Sequence, residues 1–182
     1  KHHPFRIALE QVKNFLDISH YPACKIHLSS TIPISSGLGS SAAISVALID
    51  ALFGFVGYQA SASLLSELAY KVEIEFHGTP SGIDNTVIAY RKPVFFQKDK
   101  DIEFINLEGD FSIIIADSGI SGNTKVAVAG VRERWLKNTN LFDDYFQKIG
   151  EIASLAKIAL ENGEQENLGH LMKSNQELLR KI

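Results

Sequence analysis

The chain has 182 residues, 45% of them hydrophobic, which suits one large or two small globular domains with a buried core. Its net charge of −3 and pI near 6.1 come from interspersed acidic and basic side chains, so a general attraction to nucleic acid or to anionic membranes is excluded. The single cysteine, Cys24, excludes an internal disulfide framework and predicts a reducing, cytoplasmic location.

The most apolar stretch of the chain is residues 41–57, which includes the charged residue Asp50. It is shorter than the roughly 20 residues that a membrane-spanning helix needs, so a buried helix explains it better. The chain begins with Lys1 and shows no charged start followed by an apolar core, so no signal peptide is predicted. A start at a residue other than methionine also fits a fragment of a longer protein.

The first third of the chain predicts two helices with a strand between them. Apolar residues at helical spacing indicate an amphipathic helix over residues 4–18. Residues 24–30 alternate between apolar and polar side chains, which is typical of a half-buried strand. The run 42–53 is apolar nearly all round and predicts a core helix, which the hydroxyl of Ser40 is expected to cap.

Helical periodicity returns over residues 61–76 and ends at a segment rich in glycine and proline. Short segments of β-branched and aromatic residues then predict three strands: residues 86–90, 93–97 and 111–116. Apolar residues at three- and four-residue spacing predict three further helices: residues 126–136, 141–162 and 166–182. The change to helices alone indicates a domain boundary near residues 137–140.

The loop over residues 33–41 joins the first predicted strand to the core helix and contains Gly37, Gly39 and several serines. Amide groups at the start of a helix lack acceptors and carry the positive end of the helix dipole, so an anion fits there. Glycines let phosphate oxygens approach the backbone, and serine hydroxyls can bind them or a magnesium ion. On the loop alone, a tight turn with a serine cap is an equally good interpretation.

Two other nucleotide-binding patterns fit this loop less well. No lysine follows the second glycine, so the loop is not a Walker A sequence. Gly37, Gly39 and Ala42 match the weak glycine-x-glycine-x-x-alanine pattern of dinucleotide binding. That pattern also needs an acidic residue at the end of a strand about twenty positions on, whereas Glu67 lies inside a predicted helix.

Two carboxylates, Glu73 and Asp84, suit phosphoryl transfer. One carboxylate can hold magnesium against a triphosphate while the other orients the proton of the attacking hydroxyl. Asp84 follows a turn of glycines and a proline that fixes its backbone path. Considered singly, Glu73 is more typical of a surface helix charge, and Asp84 is more typical of a turn-forming residue.

Three ordered motifs resemble those of the GHMP kinases, the superfamily of galactokinase, homoserine kinase, mevalonate kinase and phosphomevalonate kinase. Residues 37–43 read Gly-Leu-Gly-Ser-Ser-Ala-Ala, four positions after a proline. Residues 73–85 and 117–124 are similar to the mevalonate kinases in particular, with the sequences Glu-x-x-x-His-Gly-x-Pro-Ser-Gly-x-Asp-Asn and Asp-Ser-Gly-x-Ser-Gly-Asn-Thr. Val131-Arg132 follows the last of these motifs, so the resemblance covers about residues 30–135.

The resemblance implies an α+β fold in which a mixed sheet packs with helices, followed by a mainly helical second domain. It implies an ATP-binding and catalytic domain over residues 1–138, without its first strands, and the start of the helical domain over residues 139–182. The family's N-terminal Pro-Gly-Lys motif and C-terminal glycine-rich motif are absent from this sequence. The segment alone is therefore expected to lack full activity.

The resemblance also implies a reaction, the ATP-dependent phosphorylation of the primary hydroxyl of mevalonate in isoprenoid precursor biosynthesis. Another small-molecule kinase of the superfamily, such as phosphomevalonate or homoserine kinase, and a non-catalytic nucleotide-binding relative are the alternatives. Mevalonate and ATP with Mg²⁺ are the expected partners, without nucleic acid or membrane, and a homodimer is compatible with the resemblance.

The family's site residues carry over position by position. Asp84 is expected to be the general base. Glu73 and Ser41, with Ser40 as the close alternative, are expected to hold the magnesium of Mg-ATP, and Ser81 and Thr124 to bind the substrate. The nucleotide-binding residues all come from the glycine loop: Pro33, Gly37, Leu38, Gly39, Ser40, Ser41 and Ala42.

Overall fold

The computed structural model describes residues 3–33, 37–77, 80–116 and 124–182, without the side chains of residues 76, 77, 124 and 125. The described chain forms two compact units. Unit 1 lies within Lys1–Lys92 and Phe96–Lys100, and unit 2 lies within Pro93–Phe95, Asp101–Ala116 and Asn123–Ile182. The predicted boundary at residue 138 refers to the two domains of the family, and it stays a prediction.

Unit 1 is helical in its described part. Its helices are α1 (Pro4–Leu16), α2 (Ser40–Phe55), α3 (Ala62–His77) and α4 (Ile83–Tyr90). Proline is tolerated at the start of α1 because the first helical turn has no acceptor for its missing N–H group. The helices predicted over residues 4–18, 42–53 and 61–76 are confirmed.

The core of unit 1 lies where α1, α2 and α3 meet. Its largest side chains that are less than 2% exposed are Phe53, Ile7, Ile49, Val12 and Val72. The Phe53 ring also meets the Phe15 ring edge-on, with 5.5 Å between centroids, and lies 5.0 Å from the Tyr58 ring. Burying each large apolar side chain stabilises the fold by about 1.5–3 kcal/mol, so these contacts hold the helices in fixed positions.

The predicted strand over residues 86–90 is wrong, because these residues belong to α4. Gly82 precedes the helix with a φ of 92°, a left-handed conformation that glycine adopts without strain. Thr86 then donates its hydroxyl hydrogen to the Gly82 carbonyl at 2.7 Å. The β-branched residues that indicated a strand have only a weak intrinsic preference for strands. The Gly82 cap and the packing of α4 override this preference.

The predicted strands over residues 24–30 and 111–116 are also wrong. Both segments lack strand pairing within the described residues, and residues 24–30 are all exposed. Ile113, Ile114 and Ile115 expose 70%, 95% and 68% of their surface. A strand needs a neighbouring backbone for its hydrogen bonds, and the alternating pattern of side chains does not supply one.

Unit 2 begins with a short antiparallel pair of strands, β1 (Val94–Phe95) and β2 (Glu103–Phe104), in which Val94 lies opposite Phe104. The strand predicted over residues 93–97 is thus confirmed at its centre. Three helices follow: α5 (Thr124–Lys137), α6 (Thr139–Glu161) and α7 (Gln165–Leu179). The three predicted C-terminal helices are confirmed, and helices with antiparallel strands give the predicted α+β class.

The helices of unit 2 bury little apolar surface in the described part of the chain. Asn138 caps α6 by accepting a hydrogen bond from the Leu141 N–H at 3.4 Å, and Gly163 turns the chain into α7 with a φ of 72°. The buried hydrophobic residues of this unit are Phe142 and Ala159. None of the helices described is both long enough and apolar enough to cross a lipid bilayer.

Candidate active site

The start of α2 is shaped by Gly39, which occupies the N-cap position in a left-handed conformation with a φ of 67°. Its carbonyl accepts the first helical hydrogen bond, from the Ala43 N–H at 2.9 Å. Ser40 is the first helical residue, so its predicted role as the cap is wrong. A capping side chain must come from the residue before the helix, and glycine has none. The first-turn N–H groups therefore stay directed out of the helix, where an anion can bind them.

Ser41 and Glu73 meet between α2 and α3. The Ser41 Oγ donates a hydrogen bond to the Glu73 Oε1 at 2.7 Å. Glu73 is only 8% exposed, so its interpretation as a surface helix charge is wrong. A buried carboxylate needs polar partners, and the Ser41 hydroxyl is one of them. Two oxygen atoms from two helices thus converge beside the start of α2.

Asp84 lies in the first turn of α4 and is exposed. A Cβ atom added to Gly39 would lie 3.5 Å from the Asp84 Cγ and 3.5 Å from the Ile88 Cδ1. The glycine loop therefore runs directly beside this carboxylate. Asp84 is helical, so its interpretation as a turn-forming residue is also wrong. Its negative charge at the amino end of α4 is favourable for the helix dipole.

The other predicted nucleotide-binding residues lie along the same loop. Gly37 has a φ of 78°, Leu38 is 43% exposed, and Ala42 is 1% exposed in the first turn of α2. Pro33 is exposed. Residues 34–36 of this loop lie outside the described residues.

The two predicted substrate-binding residues belong to different units. Ser81 is exposed, and its Oγ accepts a hydrogen bond from the Ile83 N–H at 3.4 Å in the turn that leads into α4. Thr124 begins α5 in unit 2, and its side chain lies outside the described residues. The motif residues 78–79 and 117–123 also lie outside them.

Sequence reasoning missed a buried polar cluster at the contact between α3 and α4. It consists of Ser66, Asn85 and Thr86, which are 8%, 4% and 4% exposed. One signal was available in the sequence, because Ser66 lies seven positions before Glu73 on the side of α3 that also carries Ala69. A polar residue on a buried helix face needs partners, and these partners lie on α4.

The oxygen atoms of Ser41 and Glu73 fit a magnesium ion that arrives with a nucleotide. Magnesium usually takes one or two protein carboxylates and fills its other positions with phosphate oxygens and water. In the part of the chain that the structure describes, no group of three or more His, Cys, Asp or Glu residues could hold a metal ion. One carboxylate and one hydroxyl are hard oxygen ligands of the kind that a phosphate-bound cation requires.

Comparisons with known proteins agree with the three motifs. Residues 5–92, which include the glycine loop, Glu73 and Asp84, match the family described as "GHMP kinases N terminal domain". Mevalonate kinase from Pyrococcus furiosus is 35% identical over 162 residues, covering 85% of this chain and 47% of that protein. Mevalonate kinase from Pyrococcus abyssi is 31% identical over 184 residues, covering 97% of this chain and 52% of that protein.

The fold is also that of solved mevalonate kinases. The crystal structure of L. major mevalonate kinase in complex with R-mevalonate matches with a TM-score of 0.76 at 24% identity, covering 98% of this chain and 56% of that one. The chain spans about half the length of the curated relatives it matches. The resemblance carried by the three motifs is confirmed, and the chain belongs to the GHMP kinase superfamily.

Proposed function

We propose that the protein containing this chain transfers the γ-phosphoryl group of ATP to the primary hydroxyl of mevalonate, giving 5-phosphomevalonate and ADP. The observation that carries the proposal is the meeting of three helices at the glycine loop. Ser41 on α2 binds Glu73 on α3 at 2.7 Å, and Gly39 lies beside Asp84 on α4. The names of the relatives support mevalonate as the acceptor.

Phosphate binding is the task of the loop and the first turn of α2. Successive N–H groups at this helix start, together with the helix dipole, favour the negative charge of a triphosphate. Because Gly39 has no side chain, the loop approaches Asp84 and Ile88 without a Cβ atom between them. Phosphoryl transfer needs little covalent chemistry from the protein, so holding the phosphates in line with the acceptor is most of the catalysis.

Ser41 and Glu73 would hold the magnesium of Mg-ATP. When bound, the ion would supply positive charge that offsets the negative charge of the phosphate oxygens. Glu73 contributes the negative charge of the pair and Ser41 a neutral oxygen. The hydrogen bond between them orders both side chains before the nucleotide arrives, which lowers the entropy cost of binding.

Asp84 is the proposed general base. Its carboxylate accepts a hydrogen bond from the acceptor hydroxyl, aims the oxygen at the γ-phosphorus, and takes the proton as the new oxygen–phosphorus bond forms. The bond between the γ-phosphorus and the ADP oxygen breaks in the same transfer. Asp84 is exposed and adjacent to the loop, so an acceptor can reach it beside the phosphates. Ser81 and Thr124 complete the proposal as substrate contacts.

Location and assembly belong to the same proposal. Cys24 is a free, exposed thiol, which suits the reducing cytoplasm that we propose for this enzyme. A homodimer is proposed for the full-length protein, and analytical ultracentrifugation distinguishes it from a monomer.

The test is phosphoryl transfer by the full-length gene product, measured with ATP and mevalonate. We expect Asp84→Asn to lower kcat by about 10²–10⁴-fold, because the amide cannot accept the proton. Asp17→Asn is the matched control, since Asp17 is an exposed aspartate of unit 1 in a left-handed conformation that asparagine also adopts. A variant at Asp84 as fast as the control would remove Asp84 from the mechanism.

A panel of acceptors tests the substrate. Transfer to phosphomevalonate, homoserine or galactose in preference to mevalonate would assign the protein to another branch of the superfamily. Tight ATP binding without transfer to any alcohol would instead identify a nucleotide-binding relative that has lost catalysis.

A further inference from the structure

A buried cluster of polar side chains, formed by Ser66, Asn85 and Thr86, joins α3 to α4. The Asn85 Nδ2 donates to the backbone carbonyl of Ser66 at 3.0 Å and to the Ser66 hydroxyl oxygen at 2.9 Å. The Thr86 hydroxyl lies 3.4 Å from the same Ser66 oxygen. The proposed reaction assigns no task to these residues.

The direction of each hydrogen bond in the cluster follows from its donors. The Asn85 amide has two N–H groups, and Ser66 accepts from both. The single hydroxyl hydrogen of Thr86 goes to the Gly82 carbonyl at 2.7 Å. The hydrogen between the two hydroxyls must therefore come from Ser66. No buried side-chain polar atom in the described residues lacks a partner, so the cluster is fully satisfied.

The cluster lies on the same two helices as Glu73 and Asp84 of the proposed site. Asn85 follows Asp84 in α4, and consecutive helical residues point about 100° apart. The Asn85 side chain therefore faces α3, whereas the Asp84 side chain is exposed beside Gly39. On α3, Ser66 lies two helical turns before Glu73 on the same face. The cluster thus connects the helix of the proposed base to the helix of the proposed metal ligand.

The α4 helix needs a directional contact because it is only 8 residues long. Helices of this length are not stable in isolation, so tertiary contacts fix its position. Apolar packing is non-directional and allows a helix to rotate about its axis or slide. Hydrogen bonds weaken steeply when they bend. The two hydrogen bonds of Asn85 therefore fix the rotation of α4 about its axis and its position along α3.

We propose that Ser66, Asn85 and Thr86 are positioning residues for phosphoryl transfer. They act through the orientation of α4, which sets the Asp84 carboxylate against the glycine loop. They touch neither the phosphates nor the acceptor. The inference rests on the proposed function, because it assigns the cluster to the chemistry of Asp84.

The first test is steady-state kinetics of the full-length Asn85→Ala protein, normalised to the folded fraction. We expect kcat to fall about 10²-fold, the cost of a misplacement near 1 Å, while the KM for ATP changes less than about 2-fold. Asn14→Ala, at an exposed position on α1, is the control and keeps parental kcat. An unchanged kcat per folded molecule, with only a lower Tm, would mean that the cluster is merely structural and would overturn the proposal.

The second test separates the hydroxyl of Thr86 from its shape. Thr86→Val removes the hydrogen bonds of the Thr86 hydroxyl at nearly constant side-chain volume and is expected to lower kcat. Thr86→Ser keeps the hydroxyl and is expected to keep the parental kcat. Equal kcat values for these two variants would contradict the proposal.

The third test separates this inference from the proposed reaction. If the parent protein phosphorylates no alcohol, the proposed function fails, and a crystal structure of Asn85→Ala still decides the positioning role. Asp84 displaced from Gly39 in that structure supports the inference. Asp84 in its parental place overturns it.

Discussion

Unit 1 and unit 2 are both helical in large part, but they bury their side chains to different extents. In unit 1, Phe53, Ile49 and Val72 are 0% exposed, and polar residues are buried as well. In unit 2, large residues such as Leu155 and Met172 expose 52% and 60% of their surface. The unit that carries the proposed catalytic groups is thus the one whose helices are held by close packing. Tight packing fixes positions, as a catalytic site requires.

The largest expected effect contrasts two phenylalanines. Phe53→Ala removes a fully buried ring, and we expect it to lower the free energy of unfolding of unit 1 by about 3–5 kcal/mol. Phe146 is 40% exposed in unit 2, and Phe146→Ala is expected to cost about 1 kcal/mol or less. Hydrogen exchange of the amides in each unit measures both values. Equal losses would show that the units are packed alike.

A pair of glycines is expected to give effects of opposite sign. Gly39→Ala places a Cβ on a left-handed residue and should destabilise unit 1 by about 1–2 kcal/mol. Gly150 lies inside α6 with open space around a Cβ, so Gly150→Ala should stabilise unit 2 by about 0.5–1 kcal/mol through helix propensity. Urea denaturation of the two variants checks the signs. A stabilising Gly39→Ala would contradict the left-handed conformation of Gly39 at the start of α2.

The last expected effect concerns the dependence of stability on pH. Burial, followed by the charge of Cys24, raises the pKa of Tyr21 from 10.0 to about 12, while its hydroxyl donates to the Leu9 carbonyl. As pH rises, the Tyr21 hydroxyl therefore loses its proton in the unfolded chain before it does so in the folded one. The contribution of Tyr21 to the free energy of unfolding is fully present below about pH 10 and is lost towards pH 12.

Tyr21→Phe should therefore flatten the alkaline loss of stability and cost about 0.5–1.5 kcal/mol at neutral pH. Denaturation of the parent and the variant at several pH values and two salt concentrations measures both effects. In unit 2, the hydrogen bond and charge of Asp144 raise the pKa of Lys148, but that pair is exposed and should respond to salt. A Tyr21 effect that salt removes would argue against burial as its cause.

Hydrophobic periodicity predicted the long helices correctly because each buries one face, and the spacing of apolar residues records that face. It failed for α4, where Thr86, Val87 and Ile88 are β-branched and favour strands locally. The conformation of Gly82 and the buried contacts of Asn85 decide that this segment is a helix. Neither is part of the intrinsic strand preference of single residues. Strands failed for a different reason, since residues 24–30 have the alternation of a strand but no described pairing partner.

The candidate site could be predicted as a set of residues but not as an arrangement. The motifs indicated Ser41, Glu73 and Asp84, and the roles assigned to them stay predictions. That Glu73 is buried, and that Gly39 lies beside Asp84, depends on how three helices pack. Asn85 was visible in the sequence as a motif residue, yet its contacts to Ser66 span 19 positions and only the fold brings them together.

The segment with Ile113, Ile114 and Ile115 has a consequence for handling the protein. The run from residue 111 to 116 contains no charge and no proline, and residues 112–116 are exposed and belong to no helix or strand. Such runs stack readily into intermolecular sheets, and a net charge of −3 gives weak repulsion between molecules. We therefore expect the turbidity of a concentrated sample of this chain to be governed by this run, independently of the stability of either unit.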